Sequence, residues 1–401
     1  MESSPIAVFG ASGFAGSALC ERLLYEGKRE FRAYIHSTGN CWRLTRFVLP
    51  LEVIDVCDAG ALAAAMRGCS VVVNCTRGDE KTMLEGLRTM LRIARESQVR
   101  KFIHLSSLAI YGDNPAPESV TEEGRTGGPW LNAYGKLKLA QDELVFKAHK
   151  SGLPCYILCP GNIGGPYSEL VLGLAKRLMG GPFGLVDGGK NPTNIVHIDN
   201  LVQAIICAID NDSGAGERYF VNDSEPISWH QFCTALARQI DCEPDFFEVP
   251  YDKVLAGIAP RSSPRGVREH LRIALSGEFR NAVSVLPALG WANAAARKSF
   301  DHLPTSLQES IRARAQSAVH VPKRNQVNVG DMYLKFQLRR HYHSPAKLIN
   351  TLGYRPAVDS DRALDSTGKF LRFALCKPET FPALCATVDA AASHQPTGAS
   401  K

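Results

Sequence analysis

The opening segment, residues 6–16, constrains the fold of this chain more than any other feature. An apolar run, Ile6–Phe9, is followed by three spaced glycines and then a helical pattern, which predicts a strand, a tight turn and a helix. Gly10 permits the sharp turn, Gly13 lets the backbone approach a diphosphate, and Gly16 lets the helix pack closely on the strand. The helix N-terminus offers free N–H groups to an anion, so the segment predicts a dinucleotide site.

The first half of the chain alternates short apolar runs with helical patterns. The predicted strands are Ile6–Phe9, Phe31–His36, Leu51–Ile54, Ser70–Cys75, Lys101–Ser106 and Cys155–Leu158. The predicted helices are Ser17–Tyr25, Ala59–Arg67, Asp79–Ser97 and Leu131–Lys150. Short apolar strands joined by helices indicate an α/β fold with a doubly wound parallel sheet, the Rossmann fold, whose ligand crevice lies at the carboxyl ends of the strands.

After Gly161 the pattern is interrupted by glycines and prolines. Asn194–Ile198 and Tyr219–Asn222 are further predicted strands, and Asp199–Ile209 is a predicted helix. We therefore predict a dinucleotide-binding domain over residues 1–225, with residues 160–195 contributing to the substrate cleft. Residues 226–401 are predicted to form a smaller, mostly helical substrate-binding cap, and the tail after Ser393 is polar.

The positive charge of the chain, +6 overall, is concentrated in one segment. Residues 261–347 carry eleven arginines and four lysines against five acidic residues. Such a segment is typical of a site for a phosphorylated substrate, of contact with an anionic surface, or of a solvated face. It shows neither a basic–aromatic strand pattern for RNA nor a strongly amphipathic anchor, so no nucleic-acid or membrane partner is expected.

The chain shows no targeting segment and no apolar run long enough to cross a membrane. Its twelve cysteines are scattered and form no C-x-x-C pair. Those in predicted strands and helices are interpreted as small buried side chains rather than disulfides or metal ligands; they are Cys57, Cys69, Cys75, Cys155, Cys159 and Cys207. We therefore expect a cytoplasmic protein without a metal site.

Ser107, Tyr134 and Lys138 form the strongest candidate for a catalytic site. Tyr134 and Lys138 are four residues apart, on one face of a predicted helix, and Ser107 follows the fifth strand at its carboxyl end. A nearby ammonium group and an oxidised nicotinamide would stabilise a phenolate and lower the pKa of Tyr134. Tyr134 could then exchange a proton with a substrate hydroxyl or carbonyl that Ser107 also contacts, while hydride moves to or from the nicotinamide.

With these residues in place, the chain resembles the extended short-chain dehydrogenase/reductases, also called the NAD-dependent epimerase/dehydratase family. The matching segments, in the family's order, are Gly10–Gly16, Asp55–Asp58, Ser106–Gly112, Tyr134–Lys138, Cys159–Pro166 and Val196–Asn200. The resemblance covers about residues 5–250, and Leu352–Pro356 is similar to the family's closing motif. Residues 251–343 have no counterpart in the family.

The resemblance implies a role for each matching position. The residues it places at the cofactor are Gly10, Ser12, Gly13, Phe14 and Gly16 at the diphosphate, Asp55 and Val56 at the adenine, Tyr134 and Lys138 at the nicotinamide ribose, and Pro160 and Ile163 beside the nicotinamide. Asn162 faces the substrate, often near a nucleotide-sugar diphosphate. His197 and Asp199 are expected to brace the fold rather than to take part in the reaction. Family members are often dimers through two helices, one of which carries the tyrosine, so a homodimer is expected.

Two departures from the family refine the expected cofactor and reaction. NAD-preferring members carry an acidic residue after the second strand, whereas this chain has His36, Ser37 and then Arg43, which favour the 2′-phosphate of NADP over NAD. Dehydratases and decarboxylases of the family carry acidic residues just after the catalytic serine, where this chain has Leu108 and Ala109. The resemblance therefore favours epimerisation, or plain carbonyl reduction and alcohol oxidation.

Three functions remain open on the sequence. The leading hypothesis is an NAD(P)-dependent oxidoreductase or epimerase that acts on a secondary alcohol or ketone of a nucleotide-activated sugar. The closest alternative is an NADPH-dependent reductase of a non-sugar ketone, with a pocket formed by the C-terminal insertion. An alternative of another class is an NADP-binding sensor or scaffold without turnover, which would have no need of Ser107, Tyr134 and Lys138.

Overall fold

The computed structural model describes residues 4–115, 117–128, 132–258 and 331–375. Its central sheet has seven parallel strands. They are β1 (Ile6–Phe9), β2 (Phe31–Ile35), β3 (Leu51–Val53), β4 (Val71–Asn74), β5 (Lys101–Leu105), β6 (Cys155–Pro160) and β10 (Glu217–Val221). The spatial order is β10-β6-β5-β4-β1-β2-β3, which reverses between β1 and β4, as in a doubly wound sheet. The predicted fold class is therefore confirmed.

Two small parallel sheets accompany the main one. β7 (Asn162–Gly164) pairs with β9 (Ile195–His197), and β8 (Phe183–Val186) pairs with β11 (Phe246–Val249). Only β9 was predicted from the sequence, because the other three strands lie among glycines and prolines.

Helices connect the strands and continue beyond the main sheet. The described helices are α1 (Phe14–Glu26), α2 (Ala59–Met66), α3 (Leu87–Glu96), α4 (Ala133–Lys150), α5 (Glu169–Met179), α6 (Ile198–Asp210), α7 (Trp229–Gln239), α8 (Tyr251–Ile258), α9 (Met332–Phe336), α10 (Ala346–Leu352) and α11 (Ser360–Ala374). The helix predicted over residues 79–97 contains a π-helical turn, Thr82–Gly86, ahead of α3. In α4, Asn132 caps the first turn by accepting the N–H of Gly135 at 2.8 Å.

Alternate residues of β1 belong to two separate apolar clusters. Ile6 and Val8 pack in one cluster, and Ala7 and Phe9 pack in the other. Successive side chains of a strand point to opposite faces, so helices cover both faces of the sheet. This is why the strands are continuous apolar runs in the sequence.

Helices from the C-terminal part of the chain complete the main core. Leu348, Leu352 and Tyr354 are buried in the same cluster as Ile6 and Val8. The chain after α10 is also joined to α6, because the amide of Asn200 donates to the carbonyl of Val358 at 3.1 Å. The division into domains at residue 225 remains a prediction.

His197, expected to brace the fold, is 3% exposed, and its Nε2 lies 3.1 Å from the hydroxyl of Ser366 in α11. Its backbone N–H donates to the carboxylate of Asp223, next to β10. These contacts join β9 to distant parts of the chain, as a bracing residue would.

Several sequence expectations concern residues that the structure does not describe. Most of the basic segment 261–347, residues 259–330 of the unmatched segment 251–343 and the tail after Ser393 lie outside the described residues. Among the described cysteines, Cys69, Cys155, Cys159 and Cys207 are buried as predicted, whereas those at 57 and 75 are only partly buried. In the described parts of the chain, no helix is long and apolar enough to span a bilayer.

Candidate active site

The loop between β1 and α1 has backbone geometry that demands glycine. Gly10 has a φ of 78°, and a Cβ added there would lie 2.7 Å from the carbonyl carbon of Cys75. A Cβ at Gly16 would lie 2.2 Å from the carbonyl oxygen of Gly10, so α1 contacts the loop directly. Gly13 precedes the first residue of α1 and supplies no side-chain cap. The first N–H groups of α1 therefore remain available to a phosphate bound next to Ser12.

The end of β2 lies beside this loop. His36 and Ser37 are exposed there, as a site for a nucleotide ribose requires. The guanidinium carbon of Arg43 lies 5.7 Å from the centroid of the Phe14 ring and 4.5 Å from that of Trp42. Its Nε atom is buried without a hydrogen-bond partner in the described structure. Burial lowers the pKa of Arg43, against the opposing effect of nearby Glu169.

The positions expected at the adenine follow β3. Asp55 is exposed, and its Oδ1 accepts the backbone N–H of Cys57 at 2.8 Å. Val56 is buried, and a Cβ at Gly86 would lie 2.6 Å from its side chain. Asp55 therefore presents a carboxylate at the surface, and Val56 places an apolar side chain in the core.

Ser107 and Tyr134 meet at the carboxyl end of β5. Ser107 begins a short 3-10 turn, Leu108–Tyr111, and its Oγ accepts the N–H of Ala109 at 3.1 Å. Tyr134 is 37% exposed and lies in the first turn of α4. Burial of the phenol raises the pKa of Tyr134, whereas the charge of Arg77 and a hydrogen bond with Ser107 act to lower it.

Lys138 lies one turn further along α4 and is only 4% exposed. Its Nζ donates a hydrogen bond to the carbonyl of Leu105, the last residue of β5, at 2.7 Å. Burial lowers the pKa of Lys138 to about 8, although the carboxylate of Asp142 acts in the opposite direction. The ammonium group is thus held at the end of the strand from which Ser107 follows.

The remaining predicted residues follow β6. Pro160 is the last residue of that strand and is buried. Asn162 is held by two hydrogen bonds: its backbone N–H donates to the carbonyl of Asn194, and its side-chain amide donates to that of Thr193, each at 2.7 Å. Ile163 packs against the main core cluster and remains partly exposed.

Three residues near the site were not predicted from the sequence. Arg77 has its guanidinium carbon 5.5 Å from the centroid of the Tyr134 ring. Asp142 is fully buried on α4 and pairs with Arg218 of β10 at 2.7 Å. Asn132, the cap of α4, donates to Asp113 at 3.0 Å. The i, i+4, i+8 spacing of Tyr134, Lys138 and Asp142 was the one available signal, since it places all three on one helix face.

Comparison with known proteins identifies the family. Residues 6–221 match the model of the NAD dependent epimerase/dehydratase family. The chain is 23% identical over 344 residues to mouse sterol-4-alpha-carboxylate 3-dehydrogenase, decarboxylating, covering 79% of this chain and 91% of the mouse protein. It is 23% identical to a 4-hydroxy-2-methyl-3-oxo-4-farnesyl-3,4-dihydroquinoline-1-oxide ketoreductase of Stigmatella aurantiaca, over 62% of this chain and 77% of that protein.

A solved structure shares the fold. The UDP-glucuronic acid 4-epimerase of Bacillus cereus, in complex with NAD, superposes with a TM-score of 0.61 and 16% identity, covering 92% of this chain and 99% of the other. Because the family model spans more than half of the sequence, and its segment contains the glycine loop, Ser107, Tyr134 and Lys138, the chain belongs to the NAD-dependent epimerase/dehydratase family, the extended short-chain dehydrogenase/reductases.

Proposed function

We propose that this enzyme oxidises or reduces a secondary alcohol or ketone, with Tyr134 as the acid and base. The observation that carries the proposal is that the Tyr134 phenol lies close enough to Ser107 for the hydroxyl to act on its ionisation, with the buried Lys138 ammonium one helical turn away. A phenol and a hydroxyl that lie this close together can both contact the same substrate oxygen. Tyr134 then moves the proton, and Ser107 fixes the oxygen in place.

The glycine loop would hold the diphosphate of NAD(P) at the N-terminus of α1, and Lys138 would contact its nicotinamide ribose. NAD(P) supplies the hydride acceptor or donor when bound. We favour NADP, because Arg43 lies beside Phe14 with a buried, unpartnered Nε, and no acidic residue follows β2.

For the reaction class, epimerisation through a transient ketone or simple redox chemistry fits best. Elimination and decarboxylation by the family's usual route use a carboxylic acid just after the catalytic serine. Leu108 is buried at that place and Ala109 follows it, so neither offers a proton. The similarity to a decarboxylating dehydrogenase is compatible with a different route, in which the oxidised substrate loses its carboxylate without a carboxylic acid after Ser107.

The substrate that we favour is a nucleotide-activated sugar. Asn162 is held at the carboxyl end of β6 by Thr193, and a UDP-glucuronic acid epimerase shares the fold. The second candidate is a non-sugar ketone, which the similarity to a sterol dehydrogenase and a quinoline ketoreductase favours. In either case, residues 226–401 would contribute the cap over the substrate.

The test is a turnover assay of the full chain with Tyr134→Phe. Nucleotide sugars and ketones are offered with and without added NADPH, since an epimerase needs no net supply of cofactor whereas a reductase consumes it stoichiometrically. We expect turnover to fall about 10²–10⁴-fold, the usual contribution of a general acid or base. Tyr25→Phe, at a side chain 73% exposed on α1, is the matched control.

Retained activity in Tyr134→Phe would show that another group transfers the proton. Cofactor binding by the wild-type protein without turnover of any substrate class would favour the sensor instead. We further infer a cytoplasmic homodimer from the family, and light scattering of the purified protein tests the dimer.

A further inference from the structure

Arg77 is held next to Tyr134 by the turn that follows β4. The Oδ1 atom of Asn74 accepts hydrogen bonds from the backbone N–H of Thr76 at 3.0 Å and from its hydroxyl at 2.6 Å. Asn74 is itself buried, and its amide lies 3.2 Å from Nδ1 of His104 in β5. The turn is therefore anchored to two adjacent strands of the sheet, and Arg77 is the next residue along the chain.

The positive charge of Arg77 is not neutralised by the described part of the protein. Its side chain is exposed and makes no ion pair or hydrogen bond with any described residue. Its guanidinium carbon nevertheless lies 5.5 Å from the centroid of the Tyr134 ring, within the range of a cation–π contact. Arg77 is exposed, pairs with no carboxylate in the described residues and contacts the ring of Tyr134, so it is a candidate for a role in the reaction.

Lys138, by contrast, already has a partner. Its Nζ donates to the carbonyl of Leu105 at 2.7 Å, and the charged groups around it are Asp142 and Arg77, with the thiols of Cys75 and Cys159. The groups that act on the phenol are Arg77 from the turn after β4 and Ser107 from the turn after β5. Burial raises the pKa of the Tyr134 phenol, and Arg77 is the cation that acts against this rise.

We propose that Arg77 is a positioning residue of the active site, which orients the ring of Tyr134 and provides a positive charge beside its phenol. This inference rests on the proposed function, because it matters for the reaction only if Tyr134 exchanges the proton. The charge favours the phenolate, so Tyr134 becomes a more effective base at neutral pH.

The test places a fluorinated tyrosine at position 134 of the full chain without cofactor and follows its ionisation by fluorine NMR. Arg77→Gln should raise the pH of half-ionisation by roughly half a unit to one unit, as expected for losing a charge at this distance in a solvated cleft. Arg77→Lys should restore part of the shift. Arg88→Gln, at an exposed position of α3, is the control for loss of one positive charge.

Kinetics give the second readout. The rising limb of the pH profile of kcat for alcohol oxidation should move to higher pH in Arg77→Gln, with KM little changed. An unchanged NMR titration overturns the inference. So does a rise in KM alone, which would assign Arg77 to binding an anionic group of the substrate. If Tyr134→Phe keeps full activity while Arg77→Gln still shifts the titration, the proposed function fails and the contact between Arg77 and the phenol stands.

Discussion

The ammonium group of Lys138 donates a hydrogen bond to the carbonyl of Leu105 at 2.7 Å, so the helix that carries Tyr134 is joined directly to the end of β5. The contact fixes the distance between α4 and the turn in which Ser107 lies. It also buries a cation, and the energetic consequence depends on pH.

Lys138 should make the stability of the protein rise in alkaline solution. Its pKa falls from 10.5 to about 8 because of burial, so between these values the unfolded chain binds the proton that the folded protein has lost. The free energy of unfolding of the wild type, relative to Lys138→Met, should increase by on the order of 2 kcal/mol across that window. Urea denaturation on both sides of the window measures it, and a constant difference would contradict the prediction.

Gly16→Ala should abolish cofactor binding or folding, because the added Cβ would lie 2.2 Å from the Gly10 carbonyl oxygen. Either α1 moves away from β1, or the loop that faces the diphosphate changes shape. Gly39→Ala is the matched control, since nothing lies within 4 Å of its added Cβ. Thermal denaturation and calorimetric titration with NAD(P) separate the two effects. If Gly16→Ala bound cofactor like the wild type, the loop would not be the diphosphate site.

Arg43→Ala should weaken NADPH binding about 10-fold to 100-fold and change NADH binding little, because a charge-assisted contact with the 2′-phosphate is lost. Arg46→Ala is the control on the same segment, since Arg46 already pairs with Glu21 at 2.5 Å. Fluorescence titration with each nucleotide gives the ratio of affinities. Equal losses for both nucleotides would place Arg43 elsewhere than at the 2′-phosphate.

Asp142→Ala should cost about 3–5 kcal/mol of stability, because it leaves the guanidinium of Arg218 in a largely buried place without its carboxylate. Replacing both partners by apolar residues should recover much of the loss. Asp365→Ala, which removes an exposed ion pair with Lys369, should change stability by less than about 1 kcal/mol. Urea denaturation compares the three variants, and a small effect at Asp142 would mean that water reaches the pair.

The sequence predicted the main sheet because its strands have a strong local signal. Val71–Asn74 is an uninterrupted apolar run that ends in one polar residue, and such runs arise only when both faces of a strand are covered. The 3-residue strand β7 has no comparable signal, because it lies among glycines and prolines. It forms by pairing with β9, which brings Asn162 beside Ile195, thirty-three positions along the chain.

The sequence predicted those site residues that lie on one helix. It did not predict the contacts between side chains from distant segments. Tyr134 and Lys138 are four residues apart on one helix, so their proximity follows from helical geometry. Arg77 comes from a different strand end, and no spacing relates it to Tyr134. Arg218 likewise reaches Asp142 across seventy-six residues. Long-range electrostatic contacts of this kind depend on the folded sheet.

The burial of Leu352 and Tyr354 in the apolar cluster that also contains Ile6 and Val8 has a consequence for how the protein is made. A ribosome releases the N-terminal strand long before it releases residue 354, so this cluster is completed only after most of the chain has been translated. Until then, apolar surface that the finished core covers remains exposed to solvent and to chaperones. Biosynthesis should therefore be more sensitive to chaperone depletion than refolding of the finished polypeptide.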